Sequence, residues 1–282
     1  MRRLLAVFAV LLGMVLGSAS AQAQEIQLTG PLAGAPAVRR LRLHRKNRVE
    51  LAPSVSFILL SEFQRTILAG ARLNYNLTDW MAIGVWGSFG VAHIATDLTD
   101  QINTVTQNRR QTENMPGMVS INNRLTAASI GSNFKDQLGT INWMAAPQIT
   151  LVPFRGKLAI FQKIFVDTDA YVFGGPAFVG LTEREDCTAD CQNHFGTKKR
   201  VQIAPTFGIG LSFYMGGLAS LGLEWRGVPF SWNQGGFDTG GGDPDGRFPD
   251  NQITSADREF KFNQMVTINL GFSFPTEAKP SQ

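Results

Sequence analysis

The sequence predicts an all-β fold, a transmembrane antiparallel up-and-down β-barrel of eight strands. Three observations carry that expectation. Strand-length segments alternate apolar with small or polar residues. The gaps between them sort by length. No apolar run after residue 24 is long enough for a membrane-crossing helix, so any span has to be built from strands. The alternation is cleanest in Val201–Phe213, VQIAPTFGIGLSF. Val201, Ile203, Pro205, Phe207, Ile209, Leu211 and Phe213 face one way, and Gln202, Ala204, Thr206, Gly208, Gly210 and Ser212 the other. Charged residues make up only 17% of the 282-residue chain, too few for a soluble all-β protein with a solvated exterior.

Eight strand candidates follow in order. The first is Arg48–Leu59, with Val49, Leu51, Val55 and Phe57 opposite Glu50, Ala52, Ser54 and Ser56. The second is Gln64–Leu77, with Ile67, Ala69, Ala71, Leu73 and Tyr75 opposite Thr66, Gly70, Arg72, Asn74 and Asn76. A tight turn leads to the third, Trp80–Ala92. A long polar loop, His93–Ile141, precedes the fourth, Asn142–Val152. Pro153–Phe165 reads as a compact connector, and the fifth strand, Val166–Leu181, is the least regular. The sixth is Val201–Phe213. Gly216-Gly217 turns the chain into the seventh, Leu218–Val228, where Leu221, Leu223 and Trp225 oppose Ser220, Gly222, Glu224 and Arg226. A Gly/Asp/Pro loop precedes the eighth, Glu259–Phe274.

Gaps three, five and seven are long and polar; gaps two and six are tight turns and gap four a compact connector, and gap one, on the long-loop side, is the short exception. That places the long loops on one side, and the short turns and both ends of the barrel on the other. Strands of about 10–15 residues are long enough to cross a bilayer on a tilt. Tyr75, Trp80, Phe272 and Phe274 stand where an interfacial aromatic girdle belongs. Two features strain the scheme. Pro53, Pro147, Pro176 and Pro205 fall inside strands, where each removes a ladder donor, so bulges or rim positions are expected there. Lys157–Phe165, KLAIFQKIF, is a candidate ninth strand if it is not part of a periplasmic connector.

Residues 1–23 have the marks of a cleaved signal peptide: Arg2 and Arg3, the apolar run LLAVFAVLLGMVL, then small residues with cleavage after Ala23 or Ala21. The resulting expectation is an exported outer-membrane protein. Residues 24–47 form a linker that turns basic, residues 48–274 the barrel, and residues 275–282 a periplasmic tail.

The runs PAVRRLRLHRKNRVELAPSVSF and RTILAGARLNYNLTDWMAIGVWGSFG resemble a family of myxobacterial outer-membrane β-barrel proteins. The block TLVPFRGKLAIFQKIFVDTDAYVFGG is similar to that family's Gly-Lys connector and Asp-x-Tyr strand. Some related barrels belong to the envelope-spanning machinery of gliding motility. The resemblance implies such a setting, and it brings no catalytic motif.

Five charges are expected inside the barrel: Glu50, Arg72, Glu224, Arg226 and Lys261. They come from strands one, two, seven and eight, which neighbour each other once the sheet closes. Buried charges need partners, so a salt-bridge network filling the lumen is the first reading and a gated ion path the second. An eight-stranded barrel is just wide enough for side chains to fill it.

Cys187 and Cys191 fit a small disulfide in an oxidising compartment; with His194 they form too incomplete a set for zinc. Asp238, Asp243, Asp245, Asp250 and Asn251 offer hard oxygens for calcium. They lack EF-hand spacing and its terminal Glu, so a solvated loop comes first. Arg39, Arg40, Arg42, His44, Arg45, Lys46 and Arg48 form a basic periplasmic arm, a solvated tether or a docking segment for a protein partner. His93, Asp97 and Asp100 are the weak candidates for an enzyme acting on lipid, since no nucleophile stands at a recognisable spacing. No cofactor motif and no nucleic-acid motif is present. The functional expectation is a non-enzymatic anchor or assembly component, contacting outer-membrane lipid and envelope proteins. The alternatives are a narrow channel, a lipid-acting enzyme and a soluble exported β-sandwich.

Overall fold

The alternating segments pair into a single sheet that closes on itself. The computed structural model describes residues 45–113, 134–160, 164–185, 196–215, 218–237, 239 and 253–275. The strands are β1 (Val49–Leu59), β2 (Gln64–Asn76), β3 (Met81–Ala95), β4 (Thr140–Ile160), β5 (Ile164–Arg184), β6 (Thr197–Met215), β7 (Ala219–Trp232) and β8 (Glu259–Phe274). Each is antiparallel to its chain neighbours, and β8 returns to β1 to close the barrel. Closure pairs the backbone polar groups around the ring and removes the sheet edges that lipid cannot satisfy.

The two faces have the polarity of a membrane barrel. In β1, Glu50, Ala52, Ser54, Ser56 and Ile58 are buried while Val49, Leu51, Val55, Phe57 and Leu59 are exposed. In β6, Ala204, Thr206 and Ser212 are buried, yet Ile203 is 63% and Ile209 58% exposed. A soluble sheet would invert this, hiding its aliphatic side chains in a core. Leu73, Val85, Ile149, Leu223 and Ile268 continue the exposed apolar belt around the barrel. No described helix is long and apolar enough to cross a membrane. The fold is therefore that of a transmembrane eight-stranded barrel.

The small residues facing inward on β6 have a packing role. Gly210 lies opposite Tyr171 and Gly208 opposite Phe173 in the β5–β6 ladder. A Cβ added at Gly210 would come within 2.3 Å of the Tyr171 ring. At Gly208 it would come within 2.2 Å of the Trp225 carbonyl and 2.4 Å of the Phe173 ring. The glycines make room for two large rings in a narrow lumen.

Three expectations need correction. Pro153–Phe165 is no compact connector: β4 and β5 stay paired to Ile160↔Ile164, past the last β3–β4 pair, Met81↔Leu151, as a hairpin on the periplasmic side. Lys157–Phe165 thus lengthens two strands and adds no ninth. Second, the loop after β3 is partly structured, with α1 (Asp97–Glu113) and a 3₁₀ turn at Phe134–Gln137. Asp97 and Asp100 lie in the first turn of α1, where the helix dipole favours acids. Third, register shifts occur between Ile67 and Leu68, between Ile141 and Trp143, and between Leu151 and Phe154, so none falls at Pro53, Pro147, Pro176 or Pro205. The lost donors are absorbed differently. Pro176 faces Pro205, and no pairing joins residues 146–148 of β4 to 175–177 of β5.

Gly210→Val is expected to force the Tyr171 ring out of its rotamer and cost about 1–3 kcal/mol, the usual range for overpacking. Urea unfolding of the detergent-solubilised protein, followed by heat-modifiable gel mobility, checks this. Gly174→Ala, whose new Cβ would meet nothing closer than 3.5 Å, is expected to leave the midpoint unchanged.

Candidate functional site

The lumen is filled in layers, and β7 displays them in order. Its inward residues, from the periplasmic end, are Ser220, Gly222, Glu224, Arg226, Val228, Phe230 and Trp232. Small polar groups give way to charge, then to hydrocarbon.

The middle layer centres on Arg72 of β2. Its guanidinium pairs with Glu50 of β1 at 2.7 Å and with Glu224 of β7. It also donates to the Tyr171 hydroxyl at 3.0 Å. Tyr171 in turn donates to Glu224 at 2.8 Å, and the Asn269 amide donates to the same carboxylate oxygen at 2.9 Å. Arg226 completes the layer. It lies 3.7 Å from Glu224 and donates to Gln148 at 2.9 Å and Thr206 at 3.3 Å. Its guanidinium carbon lies 4.2 Å from the centroids of both the Trp86 and Phe173 rings, a cation–π pocket. All four charged side chains are buried. Two cations face two anions, so the layer is neutral overall.

Above it, towards the long loops, lies an apolar plug that includes Ile58, Leu68, Met144, Leu181, Phe230 and Met265. Over the plug, the loops form a cap. Phe63, Phe134 and Phe237 pack with centroids 5.6–5.7 Å apart, Phe134 stacked on Phe237 and Phe63 edge-on to both. Glu183 accepts two hydrogen bonds from Arg200, at 2.8 and 2.9 Å, and one from the Asn233 backbone at 3.0 Å. Arg184 donates to the Gly236 carbonyl at 2.7 Å.

The mouth at the short-turn end is closed by residues 45–48. A turn at residues 45–48 is held by the Arg48 amide on the Arg45 carbonyl, 3.0 Å, with Asn47 in the left-handed region at φ 61°. Asparagine tolerates that conformation. The turn is tied to the β2–β3 loop, because Asp79 accepts from the backbone amides of Arg45 and Lys46 at 2.8 and 3.1 Å. The Arg45 side chain crosses the mouth to pair with Asp169 of β5, over the ring of Tyr214 at 4.8 Å. Arg48 donates to the carbonyls of Ser273, at 3.3 Å, and Pro275, at 2.9 Å.

Of the charges expected in the lumen, Glu50, Arg72, Glu224 and Arg226 come together. Lys261 does not join them. It sits at the extracellular mouth, 3.4 Å from Glu62 and 3.2 Å from Glu259. Its side chain has the inward parity of Asn263 and Met265, but it stands at the far end of β8, with the apolar plug between it and Arg72. The basic arm divides as well. Arg39, Arg40, Arg42 and His44 lie outside the described residues, and Lys46 is exposed. Arg45 and Arg48 are 7% and 2% exposed, because the turn directs them into the mouth, where Asp169 and the β8 carbonyls receive them. They are not presented for docking. Cys187, Cys191, His194 and the acidic loop residues Asp238, Asp243, Asp245, Asp250 and Asn251 lie outside the described residues. His93 bonds the Thr66 hydroxyl at 3.2 Å, and Asp100 pairs with Lys135 at 2.8 Å. No hydrogen bond joins His93 to Asp97 or Asp100 among the described residues.

Sequence reading missed Tyr171, Asn269 and Gln148 as members of the network, and Asp169 as the partner of Arg45. Their inward parity was readable, but neutral side chains carry no signal that a charge needs them.

These features define the class as a transmembrane eight-stranded barrel with a filled interior. No known protein family and no curated protein matches the chain by sequence. Among solved structures, the N-terminal β-barrel domain of Pseudomonas aeruginosa OprF is 12% identical, with 81% of this chain and 98% of that one covered and a TM-score of 0.41. Neisserial surface protein A is 7% identical, covering 80% and 93%, with a TM-score of 0.31. Ail, the attachment invasion locus protein of Yersinia pestis, is also 7% identical, covering 81% and 99%, with a TM-score of 0.31. The myxobacterial affinity of the quoted segments has no counterpart in these comparisons.

Removing one member of the charge layer strands its partners in the closed lumen. Arg72→Ala is expected to cost about 3–5 kcal/mol, read as a lower urea midpoint in detergent. Adding Glu50→Gln to Arg72→Met removes the stranded carboxylate and leaves Glu224 facing Arg226, and is expected to restore much of the loss.

Proposed function

We propose that this protein is a non-enzymatic outer-membrane barrel that serves as an anchor or assembly component of the cell envelope. The observation that carries the reading is the sealed lumen. Arg45 and Arg48 close the periplasmic mouth, the Arg72 layer fills the middle, and the apolar plug and aromatic cap occupy the extracellular half. Ions crossing the plug would shed their hydration among hydrocarbon side chains, at a cost no group there offsets. The interior charges are buried and paired with one another. What remains for interaction is the exterior: lipid around the belt, loops at one end, and the exposed Lys46 and the β4–β5 hairpin at the other.

The narrower assignment, a part of an envelope-spanning gliding motility machine, draws support from the resemblance of the segments at residues 36–57 and 65–90 to myxobacterial barrels. In that setting Arg39, Arg40 and Arg42 form the part of the arm that contacts a periplasmic protein.

The purified barrel is expected to show no conductance above baseline in planar bilayers; discrete channel openings by the wild type would overturn the anchor reading in favour of a channel. In detergent pull-downs from native envelopes, neutralising Arg39, Arg40 and Arg42 is expected to release periplasmic partners that the wild type retains. Recovery of the same partners would show that the arm does not dock them.

A further inference from the structure

The lipid-facing belt is not uniformly smooth. On β6, β7 and β8 large side chains cover it. Phe207, Trp225 and Phe262 pack ring against ring at 6.0–6.2 Å, and the Trp225 indole donates to Gln264 at 3.1 Å. On β3, β4 and β5 the outward positions include Gly87, Ala145, Pro147, Gly174 and Pro176, which are small or flat. A groove of about 570 Å³ runs there with almost wholly apolar walls. It begins at Val49 and Tyr75 on the periplasmic rim. It passes between Leu73, Ile83, Val85 and Ile149, and it ends at Gly174–Pro176. Its upper end is the seam where β4 and β5 leave residues 146–148 and 175–177 unpaired. Prolines 147 and 176, each without an N–H, sit on the two sides of that seam.

The chemistry changes at the groove's lower end. The Tyr75 hydroxyl donates to the Asn47 side chain at 3.3 Å, and Lys46 beside it is exposed. The turn that buries Arg45 and Arg48 thus leaves one cation of the run at the rim. An exposed Lys one residue before the asparagine that accepts the tyrosine's hydrogen bond, at the barrel rim, complements a phosphate. A slot of aliphatic walls leading from that point into the bilayer complements an acyl chain.

We propose that this groove is a fixed binding seat for one acyl chain of an anionic phospholipid of the periplasmic leaflet, with its phosphate at Lys46, Asn47 and Tyr75. The inference is independent of the anchor reading, since it requires only the transmembrane barrel. It assigns Gly174 the role of keeping the slot open. A Cβ there meets nothing nearer than the Thr206 carbonyl at 3.5 Å, so the barrel itself has no steric need for glycine.

The test uses the full chain in nanodiscs of mixed phosphatidylglycerol and phosphatidylethanolamine, released into mild detergent and examined by native mass spectrometry. The wild type is expected to retain one phosphatidylglycerol. Gly174→Leu fills the slot, and retention is expected to fall about tenfold as several methylene contacts are lost, with heat-modifiable mobility unchanged. Ile149→Trp fills the slot from another wall and is expected to act alike, so a failure of either variant to fold does not decide the matter. Ile268→Trp, on β8, is expected to retain lipid as the wild type does. Lys46→Gln is expected to equalise the two headgroups. Equal retention by the wild type, Gly174→Leu and Ile149→Trp would overturn the proposal, as would a wild type that retains no lipid, or one that prefers phosphatidylethanolamine.

Discussion

The Arg72 guanidinium, held between Glu50 and Glu224, is the contact on which the rest of the molecule turns. A cation in a closed lumen has no bulk water to retreat to, and its desolvation is offset only if anions and neutral acceptors surround it in fixed places. Those places are supplied by β1, β7 and β5. Their registers have to agree for Glu50, Glu224 and Tyr171 to reach one point. A slip of one residue in any of these strands would turn a carboxylate towards lipid and an aliphatic side chain into the lumen. The layer therefore acts on specificity of pairing as much as on stability.

The glycines of β6 serve the same layer from the opposite wall. Tyr171 reaches Glu224 because Gly210 leaves its ring room, and Phe173 stacks on Arg226 because Gly208 does likewise. What reads in VQIAPTFGIGLSF as a face of small residues is the negative of a face of large ones across the ladder. The interior is also polarised along the barrel axis. The charged layer lies towards the short-turn end, and the largest apolar cluster lies towards the long loops, with buried polar groups such as Ser88 and Asn263 among it. The mouth nearer the chain's ends holds the Arg45–Asp169 pair, and the other holds the aromatic cap together with the Glu183–Arg200 pair. Such a barrel has a filled interior, and the surface it leaves free is its exterior.

Much of this architecture was legible in the residues. Period-two alternation located all eight strands, because inside and outside have opposite polarity and each strand records both. Glu50, Arg72, Glu224 and Arg226 could be assigned to the interior by parity alone. Lys261 shows the limit of that method. Parity says which face a residue joins and not how high along the axis it stands, and in a tilted, staggered sheet height depends on register with the neighbouring strand. The β4–β5 hairpin was missed for a related reason. Pro153 and the Arg155-Gly156-Lys157 run read as turn chemistry, yet pairing with β5 carried the ladder past them. The basic arm was read as a unit because its charges adjoin in sequence. One turn with Asn47 in the left-handed region splits it, sending Arg45 and Arg48 inward and leaving Lys46 exposed.

By itself the sequence determined the barrel class, the inward or outward parity of the alternating segments and the hydrocarbon character of the outer surface, since these follow from local alternation and from what lipid and backbone polar groups can tolerate. Only the tertiary structure decided which inward groups meet, where the lumen is shut and where the belt is grooved. Those depend on contacts such as Arg45 with Asp169 and Tyr171 with Glu224, between strands far apart in the chain. The registers that create them are set by closure of the whole ring and are not written in any one segment.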